Sequence, residues 1–296
     1  MKDAICAVIV TFNPDSTDFA GLQSDLIAEG LPYVVVDNAS ATVPDVVNAE
    51  AVITNQVNQG LGAALNAGIS AVRARGYQSV LLLDQDSRLS AGFVEGMQRA
   101  LAEARMLGSK VSAVGPILKH PETGAVQSFR MVDRLFYRHS QRVEGTKGLY
   151  WVDFLITSGS LISLQALADI GPMREDYFID NIDLEWCFRA RAKGYQAYGT
   201  DHCCLLHRIG EAHPNALVRR GLVKMHSPER VYYSTRNRFH LYGQAHAGWL
   251  WKCRDFPRFL SKTGFLVLFS TQRKEYLKNT IAGLRDARRL SNEIEK

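Results

Sequence analysis

The sequence lacks an apolar run long enough to cross a membrane, because its longest candidate, residues 264–269, is far shorter than the ~20 residues that a spanning helix needs. It also lacks internal repeats and low-complexity tracts. With 46% hydrophobic and 22% charged residues, its composition is that of a globular protein rather than a disordered one. Its length of 296 residues predicts one large domain, or one domain with an appendage.

Cysteine is scarce, and its five positions form no recognisable framework. The number is odd, no zinc-site spacing occurs, and the adjacent Cys203 and Cys204 suit neither a zinc knuckle nor an ordinary disulfide. Met1 leads almost directly into an apolar run, so we expect no signal peptide. A cytoplasmic, reducing location fits these observations best.

A glycine-rich nucleotide loop is missing as well. The first apolar run ends at Thr11-Phe12-Asn13-Pro14, which is neither a GxGxxG nor a Walker sequence. Nucleotidyltransferases usually carry a basic, glycine-rich loop near the N-terminus, so its absence counts against that class of enzyme, which stays as an alternative.

Charge is unevenly distributed along the chain. From Arg219 to the end there are 17 lysines and arginines against 6 acidic residues, a net charge of +11, whereas the preceding part has 18 against 24, a net charge of −6. A basic tail predicts an anionic partner, and nucleic acid, anionic lipid and a diphosphate are the alternatives. Nucleic-acid binding leaves the acidic body unexplained, because carboxylates repel phosphate, so we expect no nucleic-acid partner.

Apolar runs alternate with amphipathic stretches over the first 115 residues. This alternation predicts strands over residues 4–10, 32–36, 51–54, 79–83 and 111–115, with helices over 18–29, 62–75 and 93–107. Such a βαβα order is typical of an α/β fold with a doubly wound, mainly parallel sheet flanked by helices. Later residues predict a hairpin or mobile loop (119–148), strands (151–163, 197–206), helices (165–170, 182–193) and a basic, aromatic helical region from 249.

Polar residues follow three of the predicted strands at the point where each strand ends. They are Thr11-Phe12-Asn13, Asp37-Asn38 and Asp84-Gln85-Asp86. Ligands of doubly wound sheets bind beyond the carboxyl ends of the strands. The sequence therefore predicts a binding site at this edge of the sheet.

Carboxylates at this edge suggest two kinds of contact. Asp84 and Asp86, one residue apart, suit a shared Mg²⁺ or Mn²⁺ that leaves open positions for phosphate oxygens. An acidic turn that caps the next helix is the alternative reading of the same triplet. Asp37 suits a hydrogen bond from a base or a ribose hydroxyl, or else it is a simple turn residue.

A small-residue segment, residues 58–68, opens the second predicted helix. It contains Asn58, Gly62 and Asn66. Small residues allow a ligand to approach closely, and a helix N-terminus favours phosphate. Close packing of the helix on the sheet explains the same residues without a ligand.

Three further candidates lie later in the chain. Asp180, in the acidic cluster over residues 177–186, is a candidate general base or a helix cap. His207 ends a strand-like run and suits a metal ligand, a phosphate contact or a structural role. Arg236 belongs to an arginine- and tyrosine-rich segment that suits a phosphate grip, single-stranded nucleic acid or a solvated helix.

Taken together, these segments resemble glycosyltransferase family 2, with the GT-A fold, over roughly residues 4–210. The matching segments occur in the family's order at Val8–Asn13, Val35–Ser40, Asn58–Gly68, Leu82–Asp86 and Phe178–Tyr195. In detail they resemble the bacterial rhamnosyltransferases, through Leu-Asp-Gln-Asp, Phe-Ile-Asp-x-x-Asp-x-Glu-Trp-Cys and Tyr-Tyr-x-x-Arg-Asn.

The resemblance implies roles for most of these candidates. Asp37 would read a pyrimidine base, and Thr11 and Asn13 would frame the nucleoside pocket. Asp84 would hold the nucleotide sugar with Asn58, Gly62, Asn66, Gln85 and Arg236, and the metal, Mg²⁺ or Mn²⁺, would bind Asp86 and His207. Transfer would invert the configuration of the sugar in one displacement.

The sequence departs from the family pattern at the base. Many relatives have Glu-Asp in the acidic cluster, and the aspartate is the base, whereas Asp180-Asn181 occupies those places here. Because an amide cannot take a proton, the resemblance implies Asp180 as the base, with Asp183 second. Asp183 is alternatively a structural residue that binds the backbone or Arg189.

The resemblance also implies partners. The expected donor is dTDP-L-rhamnose, with a UDP-sugar as the alternative, and the expected acceptor is a saccharide or lipid-linked saccharide of a bacterial surface polysaccharide. We expect a GT-A domain over residues 1–218 and a basic, aromatic helical region over 219–296. That region would contact the acceptor, the inner face of the membrane or a second subunit in a homodimer.

Overall fold

A mixed β-sheet lies at the centre of the structure, a computed structural model that describes residues 4–131, 138–206 and 227–290. The strands are β1 (Ile5–Thr11), β2 (Tyr33–Asp37), β3 (Ala51–Thr54), β4 (Ser79–Asp84), β5 (Arg88–Leu89), β6 (Lys110–Lys119), β7 (Val126–Gln127), β8 (Arg130–Met131), β9 (Arg138–His139), β10 (Leu149–Val152), β11 (Leu161–Ser163) and β12 (Tyr195–Leu206). Only β8 and β9 stand apart from the main sheet among these strands, and they pair with each other.

Four of the seven neighbouring pairs along the main strand order of the sheet are parallel. The order is β10-β12-β6-β11-β4-β1-β2-β3, with β5 beside β12 and β7 beside β6. Strands β1, β2, β3 and β4 run parallel, as do β6 and β12, whereas β10 and β11 run antiparallel to their neighbours. The predicted mainly parallel sheet is confirmed. Helices cover both faces of the sheet, which explains the continuous apolar runs of β1 and β4.

Five helices flank the sheet. They are α1 (Ser16–Ala28), α2 (Leu61–Ala74), α3 (Phe93–Met106), α4 (Leu164–Ile170) and α5 (Ile182–Ala192). Helices α1 and α3 pack into the core on one face, through residues such as Phe19 and Phe93, and α2, α4 and α5 pack into the core on the other, through residues such as Leu65 and Trp186. The observed helices begin and end within two residues of the predicted ones.

Two of the predicted elements differ in the structure. The run over residues 151–163 is two strands, β10 and β11, because Gly159 adopts a left-handed φ of 84° and its N–H donates to the carbonyl of Leu82. The predicted loop over residues 119–148 contains β7, β8 and β9, and Val143 reaches the core. Residues 132–137 lie outside the described part of this segment.

The C-terminal region is helical, as expected. It contains α6 (Pro228–Gly243), α7 (Trp249–Phe269), α8 (Arg273–Asp286) and a 3₁₀ turn (Ala287–Arg289). Phe188 of α5 packs with Leu241 and Trp251, which joins this region to the body. The expected boundary at residue 218 lies outside the described residues. Among the helices that the structure describes, none has the length and apolar character of a membrane span.

Candidate active site

Asp37 lies at the end of β2, and two hydroxyl groups hold its carboxylate. Thr11 Oγ1 donates to Asp37 Oδ1 over 3.0 Å, and Ser40 Oγ donates to the same oxygen over 2.5 Å. The backbone N–H of Ser40 donates to Asp37 Oδ2 over 3.1 Å. Because the parallel register pairs Thr11 with Asp37, the sheet itself brings these two predicted residues together.

A turn over residues 39–41 covers Asp37, which is 0% exposed. Asn13 fastens this turn, since its N–H donates to Ser40 Oγ and its Oδ1 accepts from the N–H of Ala41, both over 2.8 Å. Ala39 has a left-handed φ of 67°, a conformation that costs a non-glycine residue roughly 1–2 kcal/mol. Direct contact between a base and Asp37 therefore requires this turn to move.

Gln85 joins the end of β4 to the end of β1. Its Oε1 accepts from the N–H of Phe12 over 2.8 Å, and its Nε2 donates to the carbonyl of Phe12 over 3.4 Å. The predicted contact of Gln85 with the donor stays a prediction, because the structure uses both ends of its amide between the strands. Asp84 and Asp86 flank it and are partly buried.

Asn38 and Asn58 order the segment that precedes α2. Asn38 Nδ2 donates to Asn58 Oδ1 over 2.9 Å and to the carbonyl of Gly60 over 3.2 Å. Asn58 Oδ1 also accepts from the N–H of Gly60 over 2.9 Å. These bonds hold Gly60 at a φ of 86°, so that α2 begins at Leu61.

The first turns of α2 pack against the backbone of residues 173–175. A Cβ at Gly62 would lie 2.2 Å from the carbonyl oxygen of Arg174. One turn later, Asn66 Nδ2 donates to the carbonyl of Met173 over 2.9 Å and to Glu175 Oε1 over 2.8 Å, and its Oδ1 accepts from the N–H of Met173 over 3.0 Å. Close packing thus accounts for both residues, and their predicted contact with the donor stays a prediction.

The acidic loop, residues 177–181, is held in an uncommon backbone conformation. Phe178, Asp180 and Asn181 have left-handed φ values of 60°, 66° and 64°. The carbonyl of Phe178 accepts a hydrogen bond of 2.5 Å from the N–H of Leu61, so the loop occupies the N-terminus of α2. Left-handed conformations of non-glycine residues persist only where surrounding contacts enforce them.

Asn237 on α6 supplies such contacts. Its side chain is 0% exposed, and its Nδ2 lies 2.8 Å from the carbonyl oxygens of Tyr177 and Ile179 and 2.9 Å from that of Asp180. The two hydrogens of one buried amide are therefore shared among three carbonyl groups of the acidic loop. The C-terminal region thus shapes the predicted catalytic loop.

Two arginines of α6 also bind this part of the chain. Arg230 Nη2 lies 2.9 Å from Asp180 Oδ1, and its Nε lies 3.2 Å from Asp180 Oδ2. Arg236 donates to the carbonyl of Asp176 and lies over the ring of Tyr233, 5.2 Å from its centre. Arg236 therefore anchors the acidic loop, and its predicted contact with the donor stays a prediction.

Asp183 lies in the first turn of α5, and its pKa is raised to about 6. Burial is the main cause, and the negative charges of Asp180 and Asp84 add to it, whereas the N–H of Leu184, which donates to Asp183 Oδ1 over 2.8 Å, opposes it. Three predicted site carboxylates are therefore close enough to influence one another. A carboxyl group with this pKa takes up and releases protons near neutral pH.

Glu185, two residues later, belongs to a buried ion cluster instead. Its carboxylate is 0% exposed and lies 2.8 Å from Arg189 Nη2 and 3.2 Å from His246 Nε2. Arg189 also donates to the carbonyls of Ile170 and Pro172. Arg189 is therefore paired with Glu185, whereas Asp183 accepts a hydrogen bond from the backbone N–H of Leu184.

The candidate metal ligands are only partly described. Within residues 4–131, 138–206 and 227–290, no group of three or more histidine, cysteine, aspartate or glutamate side chains is arranged to hold a metal ion, and His207 lies outside these residues. Asp84 and Asp86 are nonetheless hard oxygen donors at the end of β4. Their chemistry fits Mg²⁺ or Mn²⁺ that takes its other ligands from phosphate and water.

The prediction missed Ser40, Arg230 and Asn237. Ser40 follows Asp37 by three residues, a spacing typical of an aspartate that binds the backbone of its own turn, so it was readable from the sequence. Arg230 and Asn237 lie fifty or more residues along the chain from the loop residues that they contact. No local pattern predicts such a contact.

Comparison with known sequences agrees with this geometry. Residues 7–170 match the family described as Glycosyl transferase family 2. The chain belongs to glycosyl transferase family 2. This family 2 glycosyltransferase is 26% identical over 292 residues to "dTDP-rhamnosyl transferase RfbF" of Shigella flexneri, covering 97% of this chain and 96% of that protein. It is 30% identical over 188 residues to "Uncharacterized protein Rv1525" of Mycobacterium tuberculosis, covering 63% and 67%.

Solved structures show the GT-A fold of this glycosyltransferase. The complex of GalNAc-T7 with UDP, GalNAc and Mn²⁺ superposes with a TM-score of 0.60 at 11% identity, and the chain covers only 56% of that protein. S. aureus TarS with UDP-GlcNAc superposes with a TM-score of 0.56 at 14% identity and 80% coverage. In both comparisons 97% of this chain is aligned.

Proposed function

We propose that this glycosyltransferase moves L-rhamnose from dTDP-L-rhamnose to a hydroxyl group of a saccharide acceptor, with inversion at the anomeric carbon. The observation that carries the proposal is the raised pKa of Asp183, which is caused mainly by burial and to which the negative charges of Asp180 and Asp84 add. A candidate base that responds to the charge of Asp84, at the strand end whose carboxylates would hold the donor, supports transfer to a hydroxyl group.

The choice of donor is supported by the relative from Shigella flexneri, whose name specifies dTDP-rhamnosyl transfer and which aligns along almost the whole chain. Asp37 would accept the N3–H of a pyrimidine once the turn over residues 39–41 has moved. Thymine and uracil share this group, so a UDP-sugar is the second candidate. UDP and UDP-GlcNAc in the complexes of similar fold favour that second candidate.

A divalent cation, Mg²⁺ or Mn²⁺, fits the donor end of the site. Asp86 would hold it directly with Asp84 beside it, and His207 stays a proposed ligand. When bound, the cation would stabilise negative charge on the departing diphosphate. The Mn²⁺ in the GalNAc-T7 complex supports this proposal.

Asp183 is the base in this proposal, which reverses the order that the sequence resemblance implied. Asp180 accepts hydrogen bonds from Arg230 on both carboxylate oxygens, so its charge is paired with a guanidinium. Asp183 has a raised pKa and lies within the influence of Asp84. Asp180 would then orient Arg230 and, through its charge, raise the pKa of the base.

The proton and bond changes are those of one displacement. Asp183 takes the proton of the acceptor hydroxyl, the acceptor oxygen forms a bond to the anomeric carbon, and the bond from that carbon to the diphosphate oxygen breaks. The electron pair leaves with the nucleoside diphosphate, and attack from the opposite face inverts the anomeric configuration. The acceptor itself, a saccharide or lipid-linked saccharide of a bacterial surface polysaccharide, is part of the proposal.

A donor screen with paired variants tests the proposal. Thermal shift with dTDP-rhamnose, UDP-sugars, Mg²⁺ and Mn²⁺ should give its largest stabilisation with dTDP-rhamnose plus a cation. Asp183→Asn should retain this shift and lose transfer, whereas Asp86→Ala should lose the cation dependence. A larger shift with a UDP-sugar would overturn the donor, and normal turnover by Asp183→Asn alongside an inactive Asp180→Asn would overturn the base.

A further inference from the structure

A cavity of about 660 Å³ lies between α2, α4, α5 and the segment that joins α6 to α7. Small-molecule sites in proteins have volumes of roughly 300–1,000 Å³, so a compact organic molecule fits this space. We call it the helical cavity, and its lining includes Asn66, Ile69, Arg73, Leu167, Arg174 and Lys193.

The charged wall of the helical cavity is remote from the candidate active site. Helix α2 begins at the acidic loop with Leu61, and Arg73 lies twelve residues later, about 18 Å along the helix. Asp183 lies in the first turn of α5, and Lys193 follows it by ten residues, about 15 Å. Both cations therefore lie at the ends of their helices that point away from the proposed donor and base.

Hydrogen-bond donors prevail among the polar side chains of this cavity. Arginine and lysine side chains donate and do not accept, and the lining contains Arg73, Arg174, Arg189 and Lys193. Among its described lining residues, Asp169 alone is acidic, and both of its carboxylate oxygens already accept hydrogen bonds, from Gln165 and Tyr195. A ligand of this cavity must therefore supply acceptor atoms.

Two of the arginines are paired within the protein. Arg174 Nη2 lies 2.5 Å from the carboxylate of Asp176, and Arg189 Nη2 lies 2.8 Å from that of Glu185. Both guanidinium groups are largely buried, at 2% and 9% exposure. They form a fixed polar wall rather than a source of unbalanced charge.

The other two cations are available to a ligand. Lys193 is exposed, and its Nζ donates to the carbonyl oxygens of Asp169 and Ile170, which carry no net charge. Arg73, in the last turn of α2, is exposed. Apolar side chains stand beside these cations, since Ile69 and Leu167 are buried residues of the same lining. The cavity thus combines an apolar wall with a cationic one.

We propose that the helical cavity binds a small organic anion, in which a carboxylate or a phosphate group is joined to an apolar part. The oxyanion would accept hydrogen bonds from Arg73 and Lys193, and the apolar part would pack on Ile69 and Leu167. The site is separate from that of the nucleotide sugar, so the proposal does not depend on the identity of the donor or acceptor.

An occupied cavity would also restrain the acidic loop. Asn66 of the lining binds the backbone that leads into this loop. Arg174 lies 5.1 Å from the centre of the ring of Tyr177, the first residue of the loop. Gln244, also in the lining, lies 3.1 Å from His240 Nε2, and His240 Nδ1 lies 2.9 Å from the hydroxyl group of Tyr177. A ligand that orders these lining residues should slow the opening of the loop.

Titration calorimetry of the full chain with four probes tests the chemistry of the site. The probes are phenyl phosphate, benzoate, inorganic phosphate and phenol, in the presence of a chelator, because carboxylates at the end of β4 repel anions when no cation is bound. The better of phenyl phosphate and benzoate should bind roughly ten-fold more tightly than inorganic phosphate, which lacks an apolar part, and than phenol, which lacks the charge. The same comparison identifies the preferred oxyanion. Equal binding of phenol and both organic anions, or no binding of either anion, would overturn the proposal.

Charge substitutions locate the binding site. Arg73→Gln with Lys193→Gln should weaken binding of the better organic anion at least about ten-fold, because two charge-assisted hydrogen bonds are lost. Arg99→Gln with Lys147→Gln removes the same charge from exposed positions outside the lining and should leave binding unchanged. Equal affinity of the two double variants would overturn the location.

A steric variant tests the same location without a change of charge. Ala168 is exposed and lines the cavity, so Ala168→Trp should fill part of it and weaken binding about ten-fold or more. Ala20→Trp, at an exposed position of α1, is the matched control. Unchanged melting temperatures of the free variants show that they are folded, and normal binding by Ala168→Trp would contradict the assigned cavity.

Hydrogen exchange tests the link to the acidic loop. The better organic anion should slow amide exchange in residues 61–74 and 164–181, which include the helices around the cavity and the loop itself. The Arg73→Gln, Lys193→Gln variant should show no such change at the same concentration of probe. Slower exchange at the ends of β2 and β4 alone would put the probe in the candidate active site and would overturn the proposal.

Discussion

Asp183 is a buried carboxyl group of the candidate site whose pKa responds to two other carboxylates. Its usual pKa of 3.8 is raised to about 6 by burial and by the negative charges of Asp180 and Asp84. A group of this kind is protonated in mildly acidic solution and ionised at neutral pH. Its titration therefore has consequences for catalysis and for stability, and these have different signs.

The pH dependence of transfer should show the ionisation of the base. We expect kcat/KM to be constant above pH ~6 and to fall about ten-fold per pH unit below it, because only ionised Asp183 accepts a proton. A cation bound beside Asp84 should move this inflection to lower pH, since positive charge favours the carboxylate. Initial rates at low acceptor concentration measure it, and a profile that is flat down to pH 4 contradicts the role of Asp183.

As pH rises, the free energy of unfolding should fall, whereas the rate of transfer should rise. The folded protein binds Asp183's proton more tightly than the unfolded chain, so unfolding free energy falls as pH rises from about 4 to about 6 and stays lowered above that. Asp183→Asn should therefore stabilise the protein at pH 8 by up to about 3 kcal/mol and have little effect at pH 4. Urea unfolding in the presence of a chelator measures both values.

The control for this stability effect is Asp169→Asn, on α4. Its carboxylate accepts hydrogen bonds from Tyr195 and Gln165, and its pKa is lowered, with the Tyr195 hydrogen bond as the largest cause. Replacing Asp169 should destabilise the protein at neutral pH rather than stabilise it. The same sign for both variants would show that the raised pKa of Asp183 does not govern its effect.

Among the elements, the acidic loop depends on α6 for its shape. Three of its non-glycine residues have left-handed backbones, and Asn237 binds three of its carbonyls. This conformation of the loop costs folding free energy, because non-glycine residues disfavour a left-handed backbone. The geometry at Asp180 and Asp183 follows from this support.

Asn237→Ala should loosen the loop without touching the donor. We expect kcat to fall at least ten-fold with little change in donor KM, and stability to fall by roughly 2–3 kcal/mol because buried carbonyls lose their donor. Thermal unfolding gives the melting temperature of the variant, and its rates are measured well below that temperature. If Asn237→Ala lowers the melting temperature but leaves kcat unchanged, Asn237 has a structural role alone.

Helix α2 depends on glycine for its close approach to residues 173–175. Gly62→Ala would bring a Cβ within 2.2 Å of the carbonyl oxygen of Arg174, so α2 or this segment must shift, and we expect a loss of roughly 2 kcal/mol or more in the free energy of unfolding. Gly264→Ala in α7 is the matched control, because nothing lies within 4 Å of the added Cβ. It should stabilise the protein by up to about 1 kcal/mol, as alanine favours a helix. Chemical unfolding of both variants compares them.

At the scale of the whole molecule, the C-terminal region is integrated with the body. Phe188 packs with Leu241 and Trp251, and His246 reaches the buried Glu185. The sequence analysis expected a separate region from residue 219. The contacts make that region a support of the acidic loop.

Removal of this region should therefore damage the body. A chain that ends at residue 226 loses Arg230, Arg236 and Asn237 and exposes the apolar side chain of Phe188. We expect it to be poorly soluble and to show no nucleotide-induced thermal shift. A soluble fragment with the full-length melting temperature would show that residues up to 226 fold independently.

The sequence by itself determined the α/β class, the order of the elements and the sheet edge at which the candidate site lies. These properties are local, because buried strands leave continuous apolar runs and parallel strands deliver their polar ends to one edge. Thr11, Asp37, Asp84 and Asp86 were readable for this reason.

Only the tertiary structure decided how the carboxylates differ. The pKa of Asp183 depends on burial and on charges from two other segments, and Asp180 is engaged by an arginine fifty residues later. The contacts of Asn66, Gly62 and Asn237 likewise join segments about sixty residues or more apart. Electric fields and steric contacts act through space, so a pattern along the chain records them only when both partners are close in sequence.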